Sequence, residues 1–153
     1  MKIANPYGQF VSISDKEKDV FLLIIRLYWG WLFFRAGLWK FVNYPQASGF
    51  FEHLGLPFPE YFVIFIASVE LLGGILLFFG LFSRVVALIL TFNMIGALIV
   101  GHREMLFSVF SNPEDFYTAP PLTFLIVSMV VLFFGAGKFS LDYLISKKLS
   151  YSF

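Results

Sequence analysis

Apolar residues run through this chain in four long blocks, separated by shorter polar stretches. A bilayer core about 30 Å thick takes roughly 20 apolar residues per helix, so each block reads as a membrane span. The first covers residues 19–42, DVFLLIIRLYWGWLFFRAGLWKFV, and carries Arg26, Arg35 and Lys40. The second, 61–80, holds Glu70 near its midpoint, and the turn GLFSR joins it to the third, 85–101, with Asn93 at its middle. Pro120 and Pro121 suit the first turn of a helix, where a missing N–H is harmless. They open the fourth span, 120–136, which carries Ser128 and ends at the Gly135-Ala136-Gly137 breaker. After it, FSLDYLISKK reads as a short amphipathic segment at the membrane surface, with Ser140 as its cap. The connections 43–60 and 102–119 contain proline and aromatic residues and are expected to fold over one end of the bundle. The expected fold is all-α, a four-transmembrane-helix bundle forming a single integral membrane domain over 1–153.

Charge sets the expected orientation. With the N-terminus on one side, that side holds Lys2, Lys16, Lys18, Arg84, Lys138, Lys147 and Lys148, and the other holds Lys40 and Arg103. The excess of basic residues belongs in the cytoplasm, which predicts N-in and C-in in a prokaryotic inner membrane. The first nineteen residues are polar and carry both signs of charge, with no short apolar core and small-residue cleavage site after them, so the first span is expected to act as its own insertion signal.

Composition narrows the chemistry. At 59% hydrophobic and 14% charged, with a mean hydropathy of +0.81, the chain is too apolar for an ordinary soluble domain. A net charge of +1 gives no basic excess for nucleic acid. There is no cysteine, which removes thiolate catalysis, Fe–S ligation and cysteine zinc sites. No metal site is predicted. The two histidines, His53 and His102, both fall outside the spans, which argues against a buried bis-histidine haem.

The charged and polar residues inside the spans form the main chemical signal. Glu70, Asn93 and Ser128 fall near the middle of three spans, and Arg26 and Arg35 lie roughly 7 Å along the axis from the centre of the first. A charge at the bilayer centre costs about 2.5–3.5 kcal/mol even on the mildest scale, so three unpaired ones would cost roughly 8–10 kcal/mol. That is comparable to the stability of a whole domain. A buried polar layer of Arg26, Arg35, Glu70, Asn93 and Ser128 is therefore expected, with one arginine pairing Glu70. Arg26, Gly30, Phe33, Gly37 and Lys40 share one face of the first helix, whose small residues admit a close neighbour. Tyr28, Trp31, Arg35 and Trp39 form a second face, available to a partner subunit, a lipid headgroup or a ligand.

Arg26, Gly37 with Lys40, LGLPFP at 54–59, Glu70 followed by Gly73 and Gly74, GLFSR at 80–84 and GAGKFSLD at 135–142 together resemble the DoxX family of small four-helix membrane proteins. The resemblance runs from Phe21 to Tyr143 and implies a link to quinone-dependent electron transfer, because the family takes its name from a quinol oxidase subunit and has relatives in thiosulfate:quinone oxidoreductase. Other members are implicated in oxidative-stress defence. The family has no agreed catalytic residues, so no residue role is carried over, and the absence of cysteine sets this chain apart from members that hint at thiol redox. With the polar layer, the resemblance predicts a membrane subunit of a quinone-linked redox system. Its expected pocket comprises Trp31, Arg35, Trp39, Glu70, Asn93 and His102, with quinone as the ligand and no certain cofactor. The alternative expectation is a non-catalytic scaffold that docks a partner redox subunit, or a second copy, through its first helix.

Overall fold

The computed structural model describes residues 6–150 apart from Ser108; Lys2, counted above as an orientation charge, lies outside the described residues. The chain is all-helical, with no strand among the described residues. Its order is α1 (Pro6–Val42), α2 (Tyr44–His53), α3 (Pro59–Phe79), α4 (Ser83–Gly101), α5 (Arg103–Phe107), α6 (Pro113–Tyr117), α7 (Pro120–Phe134) and α8 (Leu141–Ser150). Among the described residues, three segments are long and apolar enough to cross a membrane: Glu17–Val42, Pro59–Phe79 and Ser83–Gly101. The fourth apolar helix, α7, has 15 residues and spans about 22 Å at 1.5 Å per residue, less than a full hydrocarbon core.

Element boundaries differ from the sequence expectation in instructive places. α1 starts at Pro6 rather than residue 19, because the polar segment before the apolar block contains no interior proline to stop it. The connection 43–60 is largely helix: Pro45 sits in the first turn of α2, where proline is well tolerated, and Ala47 and Phe51 pack with Val63 of α3. The connection 102–119 holds the short helices α5 and α6. The C-terminal amphipathic segment is α8, and Ser140 caps it as expected, its hydroxyl accepting from Tyr143 N–H at 3.2 Å.

Small residues set how closely α1 and α3 approach. A Cβ on Gly30 would lie 2.9 Å from the Gly74 carbonyl oxygen, and one on Gly37 would lie 2.6 Å from that of Ala67. Real Cβ atoms do not sit so close, so the two backbones touch directly, as small-residue contacts between membrane helices allow. The contacts also fix an antiparallel register. Gly30 lies level with Gly74 and Phe78, and Gly37 level with Ala67 and Leu71. Phe33, Leu77, Val86, Ala87, Leu90, Met94 and Val131 then close one core shared by α1, α3, α4 and α7. Outward faces carry exposed apolar side chains, among them Ile24, Phe65, Leu72, Phe92, Ile99 and Phe133.

Candidate functional site

The α1/α3 register decides which cation meets Glu70. Neither arginine does. Lys40, on the same face as Gly37 and one turn further along, lies level with Glu70, and its Nζ donates to Glu70 Oε2 in an ion pair. Lys40 was expected among the charges of the connecting segments; it is instead part of the buried layer, its side chain 20% exposed against 6% for Glu70. The arginine pairing fails because equal distance from span centres is a poor guide to depth when α1 runs well past α3.

Arg26 lies at the opposite end of that shared face. It is fully buried, and its Nη2 donates to the Phe139 carbonyl at 2.5 Å. Gly80, with φ +69°, lies against the same guanidinium, so a side chain there would collide with it. Neighbouring bonds close this end of the bundle. The Asp142 carboxylate accepts from Phe82 N–H at 2.7 Å and Ser83 N–H at 2.8 Å, and Asp142 N–H donates to the Gly80 carbonyl at 2.9 Å. Thus α8 caps α4, holding Phe82 in the left-handed region at φ 49°. Asp19 of α1 joins from the side through Lys138, with Nζ and Oδ2 3.1 Å apart. Arg26 therefore anchors a helix junction and is absent from the Glu70 cluster.

The remaining expected residues divide. Asn93 faces the Glu70 carboxylate from α4, and its Nδ2 is buried without a hydrogen-bond partner of good geometry. Ser128 is buried in α7 and donates to the Phe124 carbonyl at 2.8 Å, back-bonding its own helix. Arg35, Trp31 and Trp39 lie on the exposed face of α1.

A cavity of about 620 Å³ opens beside the Lys40–Glu70 pair. Its walls come from α1 (Phe33, Ala36), α2 (Phe51), α3 (Ile66, Val69), α4 (Met94, Ala97) and α7 (Phe124). Lys40, Glu70, Asn93 and His102 supply its polar side-chain groups among the described residues; Trp31, Arg35 and Trp39 do not line it. This is the common make-up of a small-molecule site, an apolar chamber with a few convergent polar groups. Lys40 offers three N–H groups, of which one goes to Glu70 and another points to the Ala36 carbonyl at 3.5 Å; Asn93 offers two. Lys40 therefore keeps one N–H beyond those two at the edge of an apolar space, beside the Glu70 carboxylate and with Asn93 packed against that carboxylate. A sequence signal for Lys40 existed in its shared face with Gly30 and Gly37, but choosing it over Arg26 required the register.

The sequence pattern of the family described as DoxX matches residues 21–103. The chain belongs to the DoxX family. The match contains α1 from Phe21, α2, α3 and α4, and with them Lys40, Glu70, Asn93 and His102. Among individual relatives, this DoxX chain is 38% identical to the Bacillus subtilis protein named "Putative oxidoreductase CatD" over 56% of its own length and 62% of that protein's, so it spans under two thirds of that relative. It is 32% identical to an uncharacterised membrane protein of Mycobacterium tuberculosis, over 83% of this chain and 82% of that one. It is 28% identical to the inner membrane protein YphA of Escherichia coli, over 56% of this chain and 61% of that protein. No solved structure matches this DoxX chain.

Proposed function

We propose that this DoxX protein is a small membrane subunit of a quinone-linked redox system and binds a quinone head group in the chamber beside Lys40, Glu70 and Asn93. The observation that carries the reading is the placement of the Lys40 ammonium and the Glu70 carboxylate, with Asn93 beside them, in the wall of an apolar cavity of about 620 Å³. A quinone carbonyl accepts from Lys40 Nζ, a quinol hydroxyl donates to Glu70, and Asn93 steadies the Glu70 carboxylate from α4. His102, on the wall beyond α4, is the group through which a proton reaches or leaves the chamber. The oxidoreductase name of the Bacillus relative agrees with this chemistry.

In this reading α7 is a fourth, shorter span, and the protein is a multi-pass inner-membrane bundle with both termini in the cytoplasm, the basic residues Arg84, Lys138, Lys147 and Lys148 lying on that side. The test is purification in mild detergent followed by mass spectrometry of extracted lipids. Quinone retained by the wild type and lost from Asn93→Leu, with the melting temperature held, supports the reading; equal quinone content in both proteins rejects it.

Arg35 favours a second reading. It is exposed within a span-length helix, where an unpaired charge is costly, and Trp31 and Trp39 flank it. In that reading α1 docks another membrane subunit, and Arg35→Ala releases it from a detergent pull-down without changing lipid content. An unchanged set of co-purified proteins rejects docking through this face.

A further inference from the structure

We infer that the chamber opens sideways into the bilayer between α3 and α4, with Gly96 as its threshold, and that its ligand carries a long apolar tail that leaves through this opening. The inference rests on the quinone reading and adds the route of entry and the class of molecule admitted.

The two long walls of the chamber are not sealed against the surroundings. Phe65 of α3 and Phe92 of α4 both line it, yet each is 65% exposed, so their rings border the chamber and the outer face of the bundle at once. Ile89, one turn from Phe92, is also in the wall and half exposed. Gly96 follows one turn beyond Phe92 on the same side of α4. It lines the chamber, is exposed, and has no atom near the place its Cβ would occupy. This contrasts with Gly30, Gly37 and Gly74, whose missing side chains admit a neighbouring helix. At Gly96 the missing side chain leaves a gap in the wall.

The gap and the ion pair draw on different residues. Lys40 and Glu70 meet between α1 and α3, whereas Phe65, Ile89, Phe92 and Gly96 surround the opening with apolar surface alone. A ligand that satisfies both ends is amphipathic, with acceptor oxygens at the ion pair and hydrocarbon at the portal. Water-soluble quinones lack the second part. The apolar tail contributes through burial against the portal, which scales with the area removed from water.

The experiment compares two probes on the purified full-length protein: a benzoquinone with a decyl tail, and the same head group without the tail. The quantity read is the ratio of their affinities. In the wild type the tailed compound binds more tightly. Gly96→Phe fills the opening and reduces that ratio by about tenfold, equivalent to losing the burial of roughly two methylenes. Because the chain has no cysteine, Gly96→Cys gives a second route: the protein folds first, and alkylation with a bulky maleimide then blocks the portal and lowers the ratio in the same way. A ratio that survives both blocks, or a wild type that gains nothing from the tail, overturns the lateral opening while leaving head-group binding intact. A wild type that binds neither probe overturns the quinone reading as well.

Discussion

Lys40 of α1 and Glu70 of α3 form an ion pair inside the helical bundle, on the polar edge of a chamber otherwise walled by apolar side chains. The glycines of α1 bring its backbone onto that of α3, and this contact sets Lys40 level with the acid. A pair in such a setting costs much desolvation, and each partner makes the other tolerable.

Removing one member therefore costs far more than removing both. Lys40→Met or Glu70→Gln alone is expected to destabilise the bundle, the lysine change by about 3–5 kcal/mol because it leaves a buried charge unpaired. The double variant Lys40→Met with Glu70→Gln is expected to recover most of that loss. Thermal unfolding in detergent of all four proteins checks this, and additive losses would sink the pairing.

Close contact between α1 and α3 makes their glycines unequal to the others. Gly37→Ala forces a methyl group against the Ala67 carbonyl and Leu71 and is expected to cost about 1–3 kcal/mol, the usual range for overpacking. Gly49→Ala, in open space on α2, is expected to be neutral or stabilising by up to about 1 kcal/mol. Equal melting temperatures for the two variants would contradict the packing.

Asp142 ties α8 to the start of α4 through two backbone N–H groups. Asp142→Ala is expected to destabilise this end by about 0.5–2 kcal/mol, the range for a lost helix cap. Hydrogen exchange resolved by segment gives the readout: faster exchange at 81–86 and 141–149, with α2 and α3 unchanged. Uniform acceleration along the chain would mean that the cap has no local role.

The absence of cysteine makes topology directly measurable. Glu114→Cys, in α6, is expected to react with a membrane-impermeant maleimide in intact spheroplasts, and Lys147→Cys, in α8, only after lysis. Labelling of both from the same side would show that α7 does not cross the membrane.

Hydropathy and punctuation made the helices legible. The apolar blocks gave α3, α4 and α7 within a few residues, Pro120 and Pro121 marked the start of α7, and Ser140 marked α8. Glu70 and Asn93 were recognisable as members of a buried polar cluster because polar groups in the middle of an apolar block need an internal partner. The helical nature of 44–53 was less visible, since α2 owes its place to Ala47 and Phe51 packing on Val63.

Which cation faces the acid could not be read along the chain. The sequence pointed to Arg26 or Arg35 and counted Lys40 only among the orientation charges, although Arg26 and Lys40 share one face of α1 and both can reach a carboxylate. The choice belongs to the antiparallel register, set where Gly30 and Gly37 meet Gly74 and Ala67, which carries Arg26 to the Phe139 carbonyl and Lys40 to Glu70. The sequence by itself determined that charges lie within the spans and call for partners inside the protein, because lipid solvates them poorly. Tertiary structure decided the pairing and the chamber beside it, because depth in an antiparallel bundle depends on how two helices slide past each other and not on the distance of a residue from the ends of its own span.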